Sequence, residues 1–263
     1  MQAKFTFLGT GSSLGIPVIG CHCTVCQSSY LKNQRMRVGV LLEIGNKKFV
    51  IDASPDFRRQ ALMHKIEKIN GFILTHSHYD HIAGFDDIKI YKEERKIPCL
   101  MLEETFKELE VKYQYFIQPT EEDPKNCFFF SWHLLKDSFG STVFEGVPLK
   151  YVSFFQSKMK VLGIRVGNLA YISDIKNYEE EIFLHLHGVE ILIVSALKED
   201  GSIMHFSIQE ALDFAKVIQP KKVYLTHIAH QMDHEKIQAC LPSDVFLAYD
   251  GLSISFFMDG FNG

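Results

Sequence analysis

Short runs of apolar, β-branched and aromatic residues recur along the chain, separated by polar turns, and each run has the length of a β-strand. The predicted strands cover residues 5–8, 38–44, 49–51, 72–74, 149–155, 161–166, 169–172, 191–194, 223–225 and 252–257. Helical spacing predicts helices over residues 55–65, 105–115, 178–186 and 207–218, the last with Ser207 as N-cap and Glu210 three residues on. Early strands are joined by tight turns, and later strands alternate with helices. This order predicts a layered α/β sandwich with mixed sheets covered by helices.

Polar residues that could carry chemistry follow four of the predicted strands. Asp52 follows residues 49–51, His76 follows 72–74, Asp174 follows 169–172, and His227 follows 223–225. Strand ends can collect on one edge of a sheet, where ligands commonly bind. We therefore expect these four side chains to contribute to a single site.

Length and composition are those of an ordinary globular protein. The chain has 263 residues, of which 46% are hydrophobic and 23% charged, and this predicts one domain over residues 1–263. The 28 basic and 32 acidic residues give a net charge of −4, which disfavours a nucleic-acid partner.

The irregular segment 103–124 is itself acidic and is expected to form an insertion or lid. Neither an apolar leader nor a run near the roughly 20 residues of a membrane span is present, so we expect a cytoplasmic protein without a membrane partner.

A dense set of candidate metal ligands lies within residues 76–81, which read His-Ser-His-Tyr-Asp-His. Neutral imidazole and carboxylate oxygen suit Zn²⁺, Mn²⁺ or Fe²⁺, and mixed sites of this kind often keep coordination positions open for water. Open positions are typical of catalytic centres. The alternative is a solvated histidine-rich loop, which would explain neither the aspartate nor the buried-strand pattern directly before the motif.

Three of the six cysteines, Cys21, Cys23 and Cys26, lie within six residues. Without an export signal, this clustering favours a metal site over disulfides, with a reduced metal-free loop or a redox pair as alternatives. The remaining three stand alone in apolar surroundings and are expected to be buried core thiols: Cys99, Cys127 and Cys240.

The motif at residues 76–81, with Asp52 upstream and Asp174 and His227 downstream, resembles the metallo-β-lactamase superfamily over nearly the whole chain. The resemblance implies an αββα sandwich and two active-site metals, Zn²⁺ or Mn²⁺, about a bridging hydroxide. The implied roles are as follows: His76 and His78 hold one metal, Asp80, His81 and His227 hold the other, Asp174 bridges them, and Asp52 orients ligands from behind.

The N-terminal segment narrows the resemblance. Residues 9–17, Gly-Thr-Gly-Ser-Ser-Leu-Gly-Ile-Pro, followed by the three clustered cysteines, resemble the branch that contains the phosphoribosyl 1,2-cyclic phosphate phosphodiesterase. That branch implies a structural zinc held by Cys21, Cys23, Cys26 and a histidine three residues after the last catalytic ligand, which here is His230. A Cys₃His set is a closed tetrahedral site, so it is expected to connect the N-terminal loop to the active-site edge.

One position departs from the family pattern. The first metal of the family takes a third histidine just before a strand, and Gln156 occupies that place here. An amide oxygen is a harder and weaker ligand than imidazole and suits Mn²⁺ or Mg²⁺. Three interpretations remain: a two-metal enzyme in which Gln156 is an unusual ligand, a one-metal enzyme, or a degenerate protein that binds metal without turnover.

The resemblance implies a metal-dependent phosphodiesterase whose partner is a small phosphate ester, and a cyclic ester is one candidate because that branch contains an enzyme for one. Asp80 and His205 are the expected catalytic residues, with His205 donating a proton to the leaving oxygen. The alternative for His205 is a neutral imidazole at the positive end of the following helix. A tRNA 3′-processing-type ribonuclease and a catalytically degenerate metal-binding protein are the competing functions, and a homodimer remains open.

Three further charged or titratable residues are placed outside the site. Arg35 and Arg37 precede a strand and could face a phosphate, but ordinary surface charge is the preferred interpretation. His234 follows the ligand segment closely, and it either supports that segment or starts a surface helix.

Overall fold

The structure is a computed structural model that describes residues 1–117 and 129–258. The strands in these ranges are β1 Gln2–Gly9, β2 Gly39–Ile44, β3 Lys47–Ala53, β4 Gly71–Ile73, β5 Ile97–Leu102, β6 Phe130–Leu135, β7 Phe139–Phe144, β8 Val147–Gln156, β9 Met159–Val166, β10 Leu169–Ile172, β11 Ile191–Ser195, β12 Lys222–Thr226, β13 Val245–Leu247 and β14 Ser253–Phe257. The α-helices are α1 Phe57–Met63, α2 Tyr79–Ile82, α3 Phe85–Ile88, α4 Glu103–Lys112, α5 Gln114–Ile117, α6 Ile182–Leu186, α7 Ile208–Ile218 and α8 His234–Cys240.

The strands form two mixed sheets of seven strands each. The first sheet has the order β14-β1-β2-β3-β4-β5-β6, antiparallel from β14 to β3 and parallel from β3 to β6. The second has the order β13-β12-β11-β10-β9-β8-β7, with β10 to β13 parallel and β7 to β10 antiparallel. Each sheet therefore has a parallel half whose strands end at a common edge.

Apolar side chains fill three layers. Phe5 of the first sheet contacts Tyr171 of the second, with ring centroids 5.4 Å apart, so the two sheets face each other. The outer face of the first sheet packs on the helices around Phe57 and Phe85, and that of the second on the helix that carries Phe214. The result is the predicted αββα sandwich. Among the described helices, none is long and apolar enough to cross a bilayer.

All ten predicted strands are present, and the predicted cap of α7 is confirmed. Ser207 Oγ accepts a hydrogen bond from Glu210 N at 3.2 Å, and Glu210 Oε2 accepts one from Ser207 N at 2.7 Å. These reciprocal bonds satisfy two backbone donors that a helix N-terminus otherwise leaves without partners.

Other predictions differ from the structure. The helix predicted over residues 178–186 is confined to Ile182–Leu186, and strands β5, β6, β7 and β13 were not predicted. Residues 103–117 of the acidic segment form α4 and α5, whereas 118–124, like Cys127, lie outside the described residues. Cys99 is buried as expected, but the prediction of a buried Cys240 was wrong, since it is exposed at the last residue of α8. In α8 it is Ile237 that packs into the core, and apolar sequence neighbours alone do not show which helix face is buried.

Candidate active site

The carboxyl ends of strands from both sheets deliver three polar residues in a strained backbone conformation. Asp52 is the next-to-last residue of β3, Asp174 lies two residues after β10, and His227 directly follows β12. Their φ angles are 59°, 60° and 59°. A left-handed conformation costs a non-glycine residue roughly 1 kcal/mol or more, and such strain is characteristic of functional sites. Here it occurs where the chain leaves the sheets and turns these side chains toward one point.

Four of the predicted ligands form a compact buried set, which we call the four-ligand group: Asp80, His81, Asp174 and His227. One ligand atom from each lies within 4.8 Å of the others. His227 Nε2 lies 3.3 Å from Asp80 Oδ2, and His81 Nε2 lies 3.4 Å from Asp174 Oδ2. Within the described parts of the chain, the buried His81 Nε2 makes no hydrogen bond. Two imidazoles and two carboxylates around an unsatisfied nitrogen fit a divalent cation.

A second set, the three-ligand group, consists of His76, His78 and Asp174. His76 Nε2 lies 3.1 Å from His78 Nδ1 and 3.7 Å from Asp174 Oδ2. His76 and Asp174 are buried, whereas His78 is partly exposed. Asp174 belongs to both groups, so the arrangement offers two adjoining cation positions that share one carboxylate.

Asp52 lies behind the ligands and fixes the orientation of His81. Its Oδ1 accepts a hydrogen bond from Thr75 N at 2.9 Å, and its Oδ2 lies 2.8 Å from Thr75 Oγ1 and 2.7 Å from His81 Nδ1. A carboxylate beside Nδ1 keeps the proton on that nitrogen and leaves Nε2 free to face the four-ligand group. This contact is the one that the sequence analysis predicted for Asp52.

Thr75 begins the ligand segment, but the sequence analysis predicted no role for its side chain. Its hydroxyl donates to Asp52 and lies 3.0 Å from His76 Nδ1, from which its oxygen can accept a hydrogen bond. One hydroxyl thus orients a ligand of the three-ligand group, while Asp52 orients one of the four-ligand group. The only sequence signal was the position of Thr75 directly before the metal-ligand motif.

Burial and mutual charge set the protonation of the cluster. Burial, helped by His81, holds the pKa of His76 well below its usual value, so this imidazole is neutral. Burial alone would raise the pKa of Asp174, but His227, His81 and His205 outweigh it and keep the carboxyl ionised. For His81, burial is outweighed by Asp174, Asp52 and Asp80, which raise its pKa. The carboxylates of the cluster are thus ionised, and the raised pKa values of His81 and His227 favour protonated imidazoles. A divalent cation can replace those protons when it binds.

Gln156 and His205 adjoin the three-ligand group. Gln156 ends β8, is 2% exposed, and donates through Nε2 to Asp174 Oδ2 at 3.2 Å. The same Nε2 lies 2.8 Å from His205 Nε2. His205 Nδ1 is 3.7 Å from Asp174 Oδ2, and its ring stacks on that of His227 at 4.7 Å. Both side chains therefore lie beside the three-ligand group, and Gln156 is the less exposed of the two.

The clustered cysteines meet the predicted histidine. His230 Nδ1 lies 3.3 Å from Cys21 Sγ, 3.5 Å from Cys23 Sγ and 3.6 Å from Cys26 Sγ. Hydrogen bonding from Cys26 N and contact with His230 lower the pKa of the Cys23 thiol to about 6. Three thiols and one imidazole nitrogen at these separations fit a tetrahedral zinc, whose Zn–S and Zn–N bonds are about 2.0–2.3 Å long.

The expectation that Arg35 is an ordinary surface charge was wrong. It is 2% exposed, and its Nη1 donates to Thr10 Oγ1 at 2.7 Å and to Ala248 O at 2.5 Å. Its Nη2 lies 3.0 Å from Nδ1 of His234, which begins α8 as one of the two expectations had it, but with its side chain buried and not at the surface. Desolvation lowers the pKa of Arg35 to about 10. The physical reason is that the loop after β1 folds over the guanidinium, which replaces water with protein acceptors. Arg37 is half-buried and pairs with Asp56 at 3.2 Å.

A contact from α4 also reaches the ligand loop. Lys112 Nζ donates to Ser77 O at 2.8 Å and to Ser77 Oγ at 2.7 Å, and Ser77 Oγ donates in turn to Glu108. Ser77 separates His76 from His78, so these bonds hold the loop of the three-ligand group against α4. Ser77 lies more than thirty residues before Glu108 and Lys112 in the chain, so no local sequence pattern indicated these contacts.

Fold and site together define a class of protein. The sequence pattern described as beta-lactamase superfamily domain matches residues 47–228, which contain strands β3 to β12, the ligand loop and both metal-ligand groups. The chain belongs to the beta-lactamase superfamily, and its αββα fold and buried ligand cluster are those of a metal-dependent hydrolase.

A narrower assignment comes from similar proteins. A solved structure described as a new diphosphatase from the PhnP family has 31% sequence identity and a TM-score of 0.89, over 97% of this chain and 98% of that chain. The chain is accordingly a PhnP-like member of the superfamily. An octanoyltransferase of Porphyromonas gingivalis is 29% identical over 93% of this chain, and the chain spans 50% of that protein. Ribonuclease Z of Methanocaldococcus jannaschii is 23% identical, over 89% of this chain and 88% of that protein.

Proposed function

We propose that the protein is a phosphodiesterase that hydrolyses a small phosphate ester at the joined metal-ligand groups. The observation that carries this proposal is the position of Asp174, whose Oδ1 lies 3.4 Å from His227 Nε2 and whose Oδ2 lies 3.7 Å from His76 Nε2. One carboxylate thereby spans two adjoining cation positions. Pairs of adjoining cation positions are typical of phosphatases and nucleases.

The donor set fits divalent metals. Asp80, His81, Asp174 and His227 would hold one ion, and His76, His78 and Asp174 the other, with Zn²⁺ or Mn²⁺ the ions that such mixed ligands suit. When bound, two such ions supply Lewis acidity that activates water and neutralises charge on a phosphoryl group. The Cys₃His set would hold a structural zinc that has no position for substrate.

His205 is the proposed proton donor. Burial, only partly offset by Asp174, lowers its pKa to about 4, so the free imidazole is neutral at pH 7. A phosphate anion placed beside it would stabilise the imidazolium and raise that pKa. The protonated ring could then donate to the leaving oxygen as the ester bond breaks. His205 is only partly buried, which leaves it accessible to a substrate that enters the site.

The test is hydrolysis of bis(p-nitrophenyl) phosphate after Mn²⁺ or Zn²⁺ is supplied, by the wild type and by Asp174→Asn and His205→Gln. We expect metal-dependent activity that Asp174→Asn abolishes, and that His205→Gln lowers by about 10²-fold or more on a diester with an alkyl leaving group and by less on bis(p-nitrophenyl) phosphate. The loss in His205→Gln should shrink as the leaving group becomes more acidic, because a good leaving group needs less protonation. Equal activity in the wild type and Asp174→Asn would refute the proposal.

Two related substrate classes come from the similar proteins. The PhnP-family relative is described as a diphosphatase, so a diphosphate diester belongs in the panel beside a cyclic phosphate ester. Ribonuclease Z has similarity across 88% of its length, which makes a tRNA precursor the second candidate substrate. The net charge of −4 disfavours a large polyanion. Preferred cleavage of a tRNA precursor over every small ester would replace the proposed substrate class with RNA.

A further inference from the structure

The two cation positions differ in ligand number and burial. The four-ligand group offers four side chains, all buried, whereas the three-ligand group offers three, of which His78 is partly exposed. Two polar side chains outside the groups donate to the shared Asp174 carboxylate: Ser173 Oγ to Oδ1 at 2.8 Å, and Gln156 Nε2 to Oδ2, the oxygen that faces His76. The effect of Gln156 on Asp174 therefore decides how well the three-ligand group can bind an ion.

Gln156 holds Asp174 in a way that opposes metal entry. Its Nε2 donates to Asp174 Oδ2, the same oxygen that lies 3.7 Å from His76 Nε2. A hydrogen bond to that oxygen occupies a lone pair that a cation in the three-ligand group would need. Its own Oε1 is buried and, among the described residues, has no hydrogen-bond partner.

A half-turn of the amide would exchange the two atoms, because oxygen and nitrogen occupy nearly equivalent positions about the terminal torsion. After the turn, Oε1 would face Asp174 Oδ2 and His205. Two oxygens facing each other repel, and the turned amide becomes stable only when a cation lies between them or when His205 carries a proton on Nε2. The carbonyl oxygen is a ligand that suits Mn²⁺ and Mg²⁺ better than it suits Zn²⁺.

We propose that Gln156 is a metal-responsive ligand: it blocks Asp174 in the metal-free protein, turns its amide when the second ion binds, and makes the three-ligand group the weaker position. The four-ligand group fills first, and the second ion must break the bond between Gln156 and Asp174. This inference rests on the proposed function only in requiring that the cluster binds metal, and it is independent of the substrate.

The experiment is a Mn²⁺ titration of the full chain, followed by electron paramagnetic resonance, which separates free from bound Mn²⁺ and detects spin coupling in a filled pair. Thiolates bind Mn²⁺ poorly, so the Cys₃His set does not contribute to the count. The wild type should show two steps whose dissociation constants differ by about tenfold or more, with spin coupling only after the second. Two equally tight steps would overturn the inference.

Three variants identify the atom responsible. Gln156→Leu should weaken the second step by a further tenfold or more, because no oxygen remains to coordinate. Gln156→Glu should tighten that step, and neither variant should move the first step by more than about threefold. If Gln156 only blocks Asp174 and never coordinates, Gln156→Leu would instead tighten the second step, and that result would refute the ligand role.

Gln60→Leu is the matched control. Gln60 is also buried, with Nε2 donating to Arg37 O at 2.8 Å and an Oε1 that lacks a hydrogen-bond partner in the described structure, but its hydrogen bond is to a residue outside both groups. Its substitution should leave both Mn²⁺ steps unchanged. If the wild type binds neither Mn²⁺ nor Zn²⁺ outside the cysteines, the proposed function fails together with this inference. If two ions bind in two steps but phosphate esters are not hydrolysed, only the function fails.

Discussion

Asp52→Asn tests most directly whether a buried carboxylate sets the orientation and tautomer of the candidate ligand His81. Asp52 is fully buried and accepts hydrogen bonds from Thr75 N, Thr75 Oγ1 and His81 Nδ1. Asparagine has nearly the same shape, so packing is preserved. Its Oδ1 can still accept from Thr75 N, which turns the amide nitrogen toward His81. That nitrogen can only donate, so His81 Nδ1 must become the acceptor and its proton moves to Nε2.

The loss of metal affinity expected for Asp52→Asn follows from the changed tautomer of His81. Nε2 is the atom that faces Asp80 and Asp174 at 3.5 Å and 3.4 Å, and a proton there must be lost before a cation can bind. Returning that proton to Nδ1 would leave two donors facing each other and would lose a charge-assisted hydrogen bond of about 1.5–3 kcal/mol. A loss of this size corresponds to roughly 10–100-fold in metal affinity, which is the usual effect of removing such a supporting carboxylate.

The assay is the Mn²⁺ titration, with the dissociation constant of the tighter step as the readout. Asp250→Asn is the control, because Asp250 is partly buried, belongs to neither metal-ligand group and likewise accepts from a threonine, at 2.9 Å from Thr10 N and 2.7 Å from Thr10 Oγ1. Urea unfolding of both metal-free variants measures the loss of stability common to the two changes. An Asp52→Asn protein with wild-type affinity, or an equal loss of affinity in Asp250→Asn, would show that His81 needs no orienting carboxylate.

Three further predictions follow from the same contacts. Thr75→Val removes the hydroxyl that holds the proton on His76 Nδ1, so the weaker Mn²⁺ step should lose about tenfold in affinity while the tighter step changes less. Cys23→Ser should lower the zinc content by one ion per chain and decrease the melting temperature, as measured by mass spectrometry and calorimetry. Burial and Arg35 lower the pKa of His234 to about 4, so the unfolded chain alone takes up this proton as pH falls from 6.5 toward 4. The neutral His234 of the folded chain therefore contributes fully to the free energy of unfolding above pH 6.5, and this contribution is lost as pH falls from 6.5 toward 4. In urea unfolding, His234→Gln should remove about 1–2 kcal/mol of the difference between pH 7.5 and pH 5; an unchanged difference would contradict the assignment.

The sequence was sufficient to bring the candidate ligands together because their signals are local. The motif at residues 76–81 directly follows a buried strand, and Asp174 and His227 also follow strands, so periodicity placed each at a strand end, while the family resemblance supplied the ligand roles. Thr75, Ser77 and Lys112 gave no comparable signal. Their roles depend on which atoms lie behind or above a ligand, and such contacts arise from tertiary packing.

The missed elements have equally specific physical causes. β13 has only three residues, and β7, with the sequence Phe-Gly-Ser-Thr-Val-Phe, lies at a sheet edge where polar residues are tolerated. Arg35 was assigned to the surface because arginine is rarely buried, and its burial depends on acceptors far away in sequence, Thr10 and Ala248 O. Local patterns thus predict secondary structure and candidate ligands, whereas the residues that orient those ligands can be identified only from the tertiary structure.

Only two residues separate His230 of the cysteine site from His227 of the four-ligand group, yet the two sites need not depend on each other. His227 and His230 flank Ile228, whose N donates to Thr10 O at 2.8 Å and whose O accepts from Ser12 N at 2.9 Å. These backbone bonds hold the loop after β1 against the end of β12 through protein contacts alone. Because they lie between the two histidines, loss of the cysteine-bound ion should loosen the loop that carries the cysteines while His227 stays in position. We therefore expect Cys23→Ser to reduce stability far more than it weakens either Mn²⁺ step. A parallel loss of both properties would mean that the cysteine site, rather than the backbone pairing at Ile228, positions His227.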